Sequence, residues 1–206
     1  NLEEHVTRTA KTVLNRAEKS LNLAIKNGYR AIRTHIDTYN SQDQEIWPKL
    51  FLLQKKYSEF LSLQFVSLAQ IDFWGTKEGD LLARNFKLNN GILGGVLVPP
   101  FDRPKIIKSL TDMLLLAKKY KLEVDLHIDE SSIEPGSGIK ILLNTINKLN
   151  SKVQITCSHS SSLLLLKDNE LIKLANKMAN KNIKVIALPL TNFWLLNREA
   201  KNTISR

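Results

Sequence analysis

Strands and helices that alternate at a pitch of about thirty residues predict a parallel (β/α) barrel, present in part. Three observations carry that prediction. Six short apolar runs are each bounded by polar, Gly or Pro residues, the mark of buried strands. Amphipathic helical stripes lie between the runs. No strand leads into G-x-G-x-x-G or a Walker-type loop, the signature expected of a doubly wound open sheet.

Each element has its own warrant. Residues Leu2, Val6, Ala10, Val13, Leu14, Ala17, Leu21, Ala24 and Ile25 keep a helical period, and Asn27-Gly28 closes that helix, Gly being suited to the left-handed residue past a helix end. The first strand run is IRTHID from Ile32. A shorter helical pattern follows over 44–60, then LQFVSLAQ from Leu63 and a pattern over 79–88. GGVLVPP from Gly94 is followed by a stripe of Ile106, Leu110, Met113, Leu114 and Ala117. EVDLHID from Glu123 is followed by Ile139, Leu142, Leu143, Ile146 and Leu149. VQITCSH from Val153 is followed by Leu171, Leu174, Ala175 and Met178. KVIALPL from Lys184 precedes a last pattern from Leu195.

A closed barrel has eight strands at about 31 residues per unit, and this chain offers six. It opens on a helix and stops about where a last strand would begin. Residues 1–206 therefore read as one partial barrel domain, strands two to seven of a (β/α)8 (TIM) barrel, with open edges that closure would remove.

Composition narrows the function classes. The 206 residues are 43% hydrophobic, enough for one sizeable core. No apolar run is long enough to span a bilayer, and the charged amphipathic start is no signal peptide. The single cysteine, Cys157, fits a reducing, cytoplasmic setting. A net charge of +10 is compatible with nucleic-acid binding. The lysines are spread over nearly every helix, however, with no aromatic-interleaved basic stripe, so nucleic acid is an unlikely partner.

In such barrels chemistry sits at the C-terminal ends of the strands. Three of the four histidines fall there: His35, His127 and His159. Imidazole suits zinc and iron. Glu130, just past its strand and three residues from His127, could move a proton beside a metal ligand. Asp129 reads instead as a cap for the following segment. Cys157 and His159 should share a face by strand alternation, and Cys157 reads as a small core residue pointing into the barrel rather than a nucleophile. The serines from Ser158 to Ser162 lack a G-x-S-x-G elbow and are expected to cap the next helix.

In order along the chain, RTHID, LQFVSLAQ, GGVLVPPFD, VDLHIDE, ITCSHSSSL and VIALPLTNFWLLNR resemble the cytosine deaminase-like branch of the amidohydrolase superfamily. The resemblance implies a (β/α)8 barrel of the metal-dependent hydrolase type and hydrolytic deamination of a cyclic amidine such as cytosine. It implies His127 as a ligand of one divalent metal, iron or zinc. It implies Glu130 as the acid that passes a proton to the ring nitrogen, His159 as the group that orients the attacking water, and Gln70 as a hydrogen-bond partner of the pyrimidine edge. The expected partner is a small heterocycle, with no membrane and with room for a homo-oligomer.

The departures are equally specific. This chain has no His-x-His pair and no match to the family's last-strand Asp. Three of four expected ligands lie outside it, so the chain by itself is expected to be a metal-free, inactive central fragment. LVPPFD stands where close relatives carry a His before the Phe, and AQIDFWG departs after Gln70. Both leave open an amidohydrolase acting on another heterocycle or cyclic amide. An alternative of a different class is a non-catalytic basic module binding nucleic acid or a partner.

Overall fold

A computed structural model of the chain describes residues 9–38 and 45–196. Leu2, His5 and Val6 lie outside the described residues. The elements alternate as the hydrophobic pattern requires. Helix α1 (Ala10–Lys26) is capped by Thr9, whose hydroxyl accepts from the Thr12 N–H at 3.2 Å. It ends at Asn27 and Gly28, the latter at φ 82°, the left-handed exit expected of glycine. Strand β1 (Ala31–Asp37) follows, then α2 (Trp47–Tyr57), β2 (Ser62–Ala69), a 3-10 turn (Ile71–Gly75) and α3 (Lys77–Asn89). Next come β3 (Ile92–Leu97), α4 (Arg103–Tyr120), β4 (Val124–Ile128) and α5 (Ser137–Leu149). The order closes with β5 (Ile155–His159), a second 3-10 turn (Ser161–Leu165), α6 (Asp168–Ala179), β6 (Lys184–Ile186) and α7 (Pro189–Leu196).

Two expectations shift. The run from Lys184 is a strand for only three residues, and its end is already helix. Pro189 opens α7, where a missing N–H costs nothing and φ is preset. The serines after β5 form the second 3-10 turn, and α6 has Lys167 at its N-cap, which makes no side-chain capping bond. Ser162 Oγ instead accepts from the Gly136 N–H at 3.1 Å, at the start of α5.

The six strands among the described residues pair in parallel in sequence order, β1-β2-β3-β4-β5-β6. The sheet is curled, an incomplete (β/α) barrel. In a flat sheet β1 and β4 would stand ~14 Å apart, three spacings of ~4.8 Å each. Yet Arg33 Nη1 on β1 donates to Asp125 Oδ2 on β4 at 2.8 Å and reaches Thr156 Oγ1 on β5 at 3.3 Å. These bonds can form only across a concave face.

The two faces divide the chemistry. Leu93, Leu97, Val124, Leu126 and Ile128 join the helices' apolar stripes in one core that includes Leu110, Met113, Leu142 and Ile146. The concave face carries Arg33, Gln64, Glu123, Asp125, Thr156 and Ser158. Asp125 is fully buried and accepts from both Arg33 and Ser158. Burial raises its pKa, but His35 and Arg33 outweigh that and hold the carboxyl below its ordinary value.

Arg33→Ala should therefore strand a buried carboxylate and destabilise the fold by about 3 kcal/mol. Urea unfolding reads this, and a loss under about 1 kcal/mol contradicts it. Because the folded pKa of Asp125 is depressed, its contribution is complete above the unfolded value of about 3.9. It is lost as pH falls below that value through the folded pKa. An Asp125→Asn variant should lack this part of the acid limb.

Candidate active site

Strand β4 places Asp125 and His127 on the concave face by simple alternation. The next two residues depart from it. Asp129 takes a left-handed conformation, φ 55°, which is costly for a non-glycine residue. That turn swings its carboxylate out to α5, where Oδ1 accepts from Gly138 N–H at 2.9 Å and Oδ2 from Ile139 N–H at 3.0 Å. Asp129 thus caps α5, as expected for it. A Cβ on Gly138 would stand 2.9 Å from Asp129 Oδ1, so the missing side chain permits the close approach. Burial raises the pKa of Asp129 despite the two backbone N–H groups.

The same device operates on β5. Ser158 Oγ donates to Asp125 Oδ1 at 2.9 Å, so Ser158 faces inward. Cys157 beside it faces outward, into the apolar core. This corrects the expectation that Cys157 points into the barrel and shares a face with His159. Burial pushes its thiol pKa up, which removes it as a nucleophile. Strict alternation would send His159 outward too. Its φ of 68°, followed by Ser160 at 50°, turns the imidazole back toward the site.

Three imidazoles then run across the concave face. His35 and His127 meet edge to face with centroids 4.4 Å apart, and His127 and His159 at 4.7 Å. His35 Nε2 lies 3.4 Å from Asp125 Oδ1. His159 Nδ1 lies 2.8 Å from Asn192 Oδ1 on α7. Glu130 Oε1 comes within 3.1 Å of that same Nδ1, but off hydrogen-bond alignment, so it is buried without a hydrogen-bond partner. Burial raises the pKa of Glu130, with His159 opposing. His127 Nε2 is likewise buried and unpartnered. Burial first, then His35 and His159, lower its pKa to about 4.

Ligand-type atoms of His127, Glu130 and His159 all lie within 4.8 Å of one another. Two imidazoles and a carboxylate are a donor set suited to zinc or iron. The unpartnered Nε2 and Oε1 are electron-pair donors with nothing to bind, so the residues present fit a divalent ion. Gln70 stands apart. It is exposed at the end of β2 and makes no capping bond in the adjoining turn, and no hydrogen bond links it to the three among the described residues. Asp125 and Arg33 were not singled out by sequence reasoning, whereas Asn192 was read there only as a polar group at the end of the last strand run. Glu123, Asp125 and His127 at period two on one strand were the available signal. On the helix layer, Lys140, Lys173, Lys177 and Lys181 line a groove with Glu170.

With this geometry in place, comparison with known proteins is informative. No family model matches the chain. A pterin deaminase of Rhizobium rhizogenes is 26% identical over 197 residues, covering 95% of this chain and 44% of the relative. Among solved structures, 5-methylcytosine deaminase from Klebsiella pneumoniae with phosphonocytosine superposes at TM-score 0.79, with 21% identity. It covers 97% of this chain and 48% of its own. N-isopropylammelide isopropylaminohydrolase from Burkholderia multivorans superposes at 0.66 with 21% identity, over 79% and 42% of the two chains. The chain is similar in fold to these structures, and that likeness carries the barrel expected from the ordered motifs. The chain spans less than half the length of these relatives. Among the described residues no helix is long and apolar enough to cross a membrane.

The His127 ring should stay neutral to about pH 4, against about 6.5 for a free histidine. The unfolded chain then binds the extra proton across that window, so stability falls as pH drops from about 6.5 to about 4. Histidine ring shifts followed by NMR measure the midpoint. A value near 6.5, or an unchanged acid limb in His127→Gln, contradicts the assignment.

Proposed function

We propose that these residues form the central part of a metal-dependent hydrolytic deaminase acting on a cyclic amidine such as cytosine. The observation that carries this reading is the convergence of His127, Glu130 and His159 at the C-terminal ends of β4 and β5. That is the position where barrels of this type place their chemistry. Relatives named as deaminases support the reaction class.

Each residue has a part that its surroundings suit. A divalent iron or zinc ion, when bound, supplies a water activated at neutral pH. His127 holds that ion through Nε2, kept neutral by burial, together with ligands that the resemblance puts outside these 206 residues. Glu130, whose raised pKa favours the protonated form, gives its proton to the ring nitrogen beside the attacked carbon. His159, fixed between β5 and α7, orients the attacking water. Gln70 meets the edge of the heterocycle, which requires its side chain to turn in from the exposed end of β2. The leaving group is ammonia.

A larger substrate is the second reading. The pterin deaminase relative favours a fused bicyclic amidine, and the departures LVPPFD and AQIDFWG fall beside the pocket that would have to accommodate it.

The test is ammonia release by the full-length polypeptide containing these residues, with iron or zinc added, on cytosine, a pterin and a cyclic amide. Deamination of cytosine or a pterin is expected, and Glu130→Gln should lower kcat by about 10²–10⁴. Ring opening of the cyclic amide alone would replace deamination with amide hydrolysis. No turnover of any substrate, or full activity in Glu130→Gln, would refute the proposal.

A further inference from the structure

Asn192 belongs to no motif with an assigned role, yet it is 2% exposed and aims its side chain at the site. Its Oδ1 lies 2.8 Å from His159 Nδ1. A carboxamide oxygen can only accept, so the ring nitrogen facing it must donate. Glu130 Oε1 adds a second oxygen 3.1 Å from the same nitrogen.

We infer that Asn192 is a positioning residue: it holds His159 with its proton on Nδ1 and leaves Nε2 as the bare, basic atom of that ring. Two structural features give the contact this selectivity. His159 is 5% exposed, so water does not compete freely for Nδ1. Its left-handed backbone, φ 68°, also directs the ring away from the helix layer, and a hydrogen bond at the ring's far side fixes the rotation that the backbone leaves free.

This deepens the deaminase reading, in which His159 orients the attacking water, and it rests on that reading for its purpose. Its test does not. Long-range ¹H–¹⁵N correlation on the ¹⁵N-labelled chain near neutral pH reports which ring nitrogen carries hydrogen, with no substrate or turnover. Spectra of His159→Gln identify the His159 signals by their loss. The expected result is a single Nδ1–H tautomer in the wild-type chain. Asn192→Ala should shift it toward Nε2–H or an averaged pattern, and Asn192→Asp, which keeps the acceptor, should restore Nδ1–H. An Nε2–H tautomer in the wild type overturns the inference. So does an unchanged tautomer in Asn192→Ala, which would assign the selection to Glu130. If Asn192→Ala does not fold, the wild-type and Asn192→Asp spectra still decide. A failed deaminase assay leaves the tautomer result standing, and the converse also holds.

Discussion

Asp125 is the anchor of the concave face. It is fully buried on β4 yet bonds Arg33 from β1 and Ser158 from β5. An unpaired charge there would be prohibitive, so the sheet must bring a cation to it. Arg33 meets that demand by reaching across the hollow, and its fork also bonds Gln64 and Glu123. The interaction therefore sets the curl. A flat sheet would separate the partners by ~14 Å. With the curl in place, His35 is held against Asp125 and its ring packs on His127. The layer of charge deep in the hollow thus supports the row of imidazoles above it.

The site departs from regular strand geometry at the points where its function would need it to. Alternation alone would put Asp129 in the hollow and His159 among the helices. Two left-handed residues exchange those fates. Asp129 leaves to cap α5, which removes a second carboxylate from beside Glu130. His159 enters and meets His127 and Asn192. Backbone strain of this kind persists only when its surroundings fix it, and here caps and hydrogen bonds fix both turns. The outcome sets one carboxyl of raised pKa beside the His127 ring, whose pKa burial lowers, a pairing of opposed environments typical of acid–base sites.

The fold was legible because burial writes itself into periodicity. Runs such as EVDLHID and VQITCSH could only be buried parallel strands, and their spacing gave the barrel. Strand ends were less legible. β6 is shorter than its apolar run because Pro189 starts a helix, a matter of local backbone chemistry that apolarity does not report. Within the site, His127, Glu130 and His159 could be picked out by type and place. Their mutual approach could not, since it depends on the left-handed turn at His159, which no residue type there announces. The inward-facing Arg33 and Asp125 were hidden for the opposite reason. They sit below the strand ends, where a barrel is expected to hold branched apolar side chains. Gln70 was placed by resemblance alone, and its side chain lies exposed at the end of β2.

The central claim is that a polar tie across the hollow assembles the imidazole row. Nuclear Overhauser contacts between histidine ring protons test it most directly. The account predicts contacts from His35 to His127 and from His127 to His159 in the wild-type chain. In Arg33→Ala the first should weaken or vanish, because the tie that draws β1 toward β4 is then lost. The second should persist, because β4 and β5 are hydrogen-bonded neighbours. Absence of both contacts in the wild type, or a His35–His127 contact indifferent to the loss of Arg33, would contradict the account.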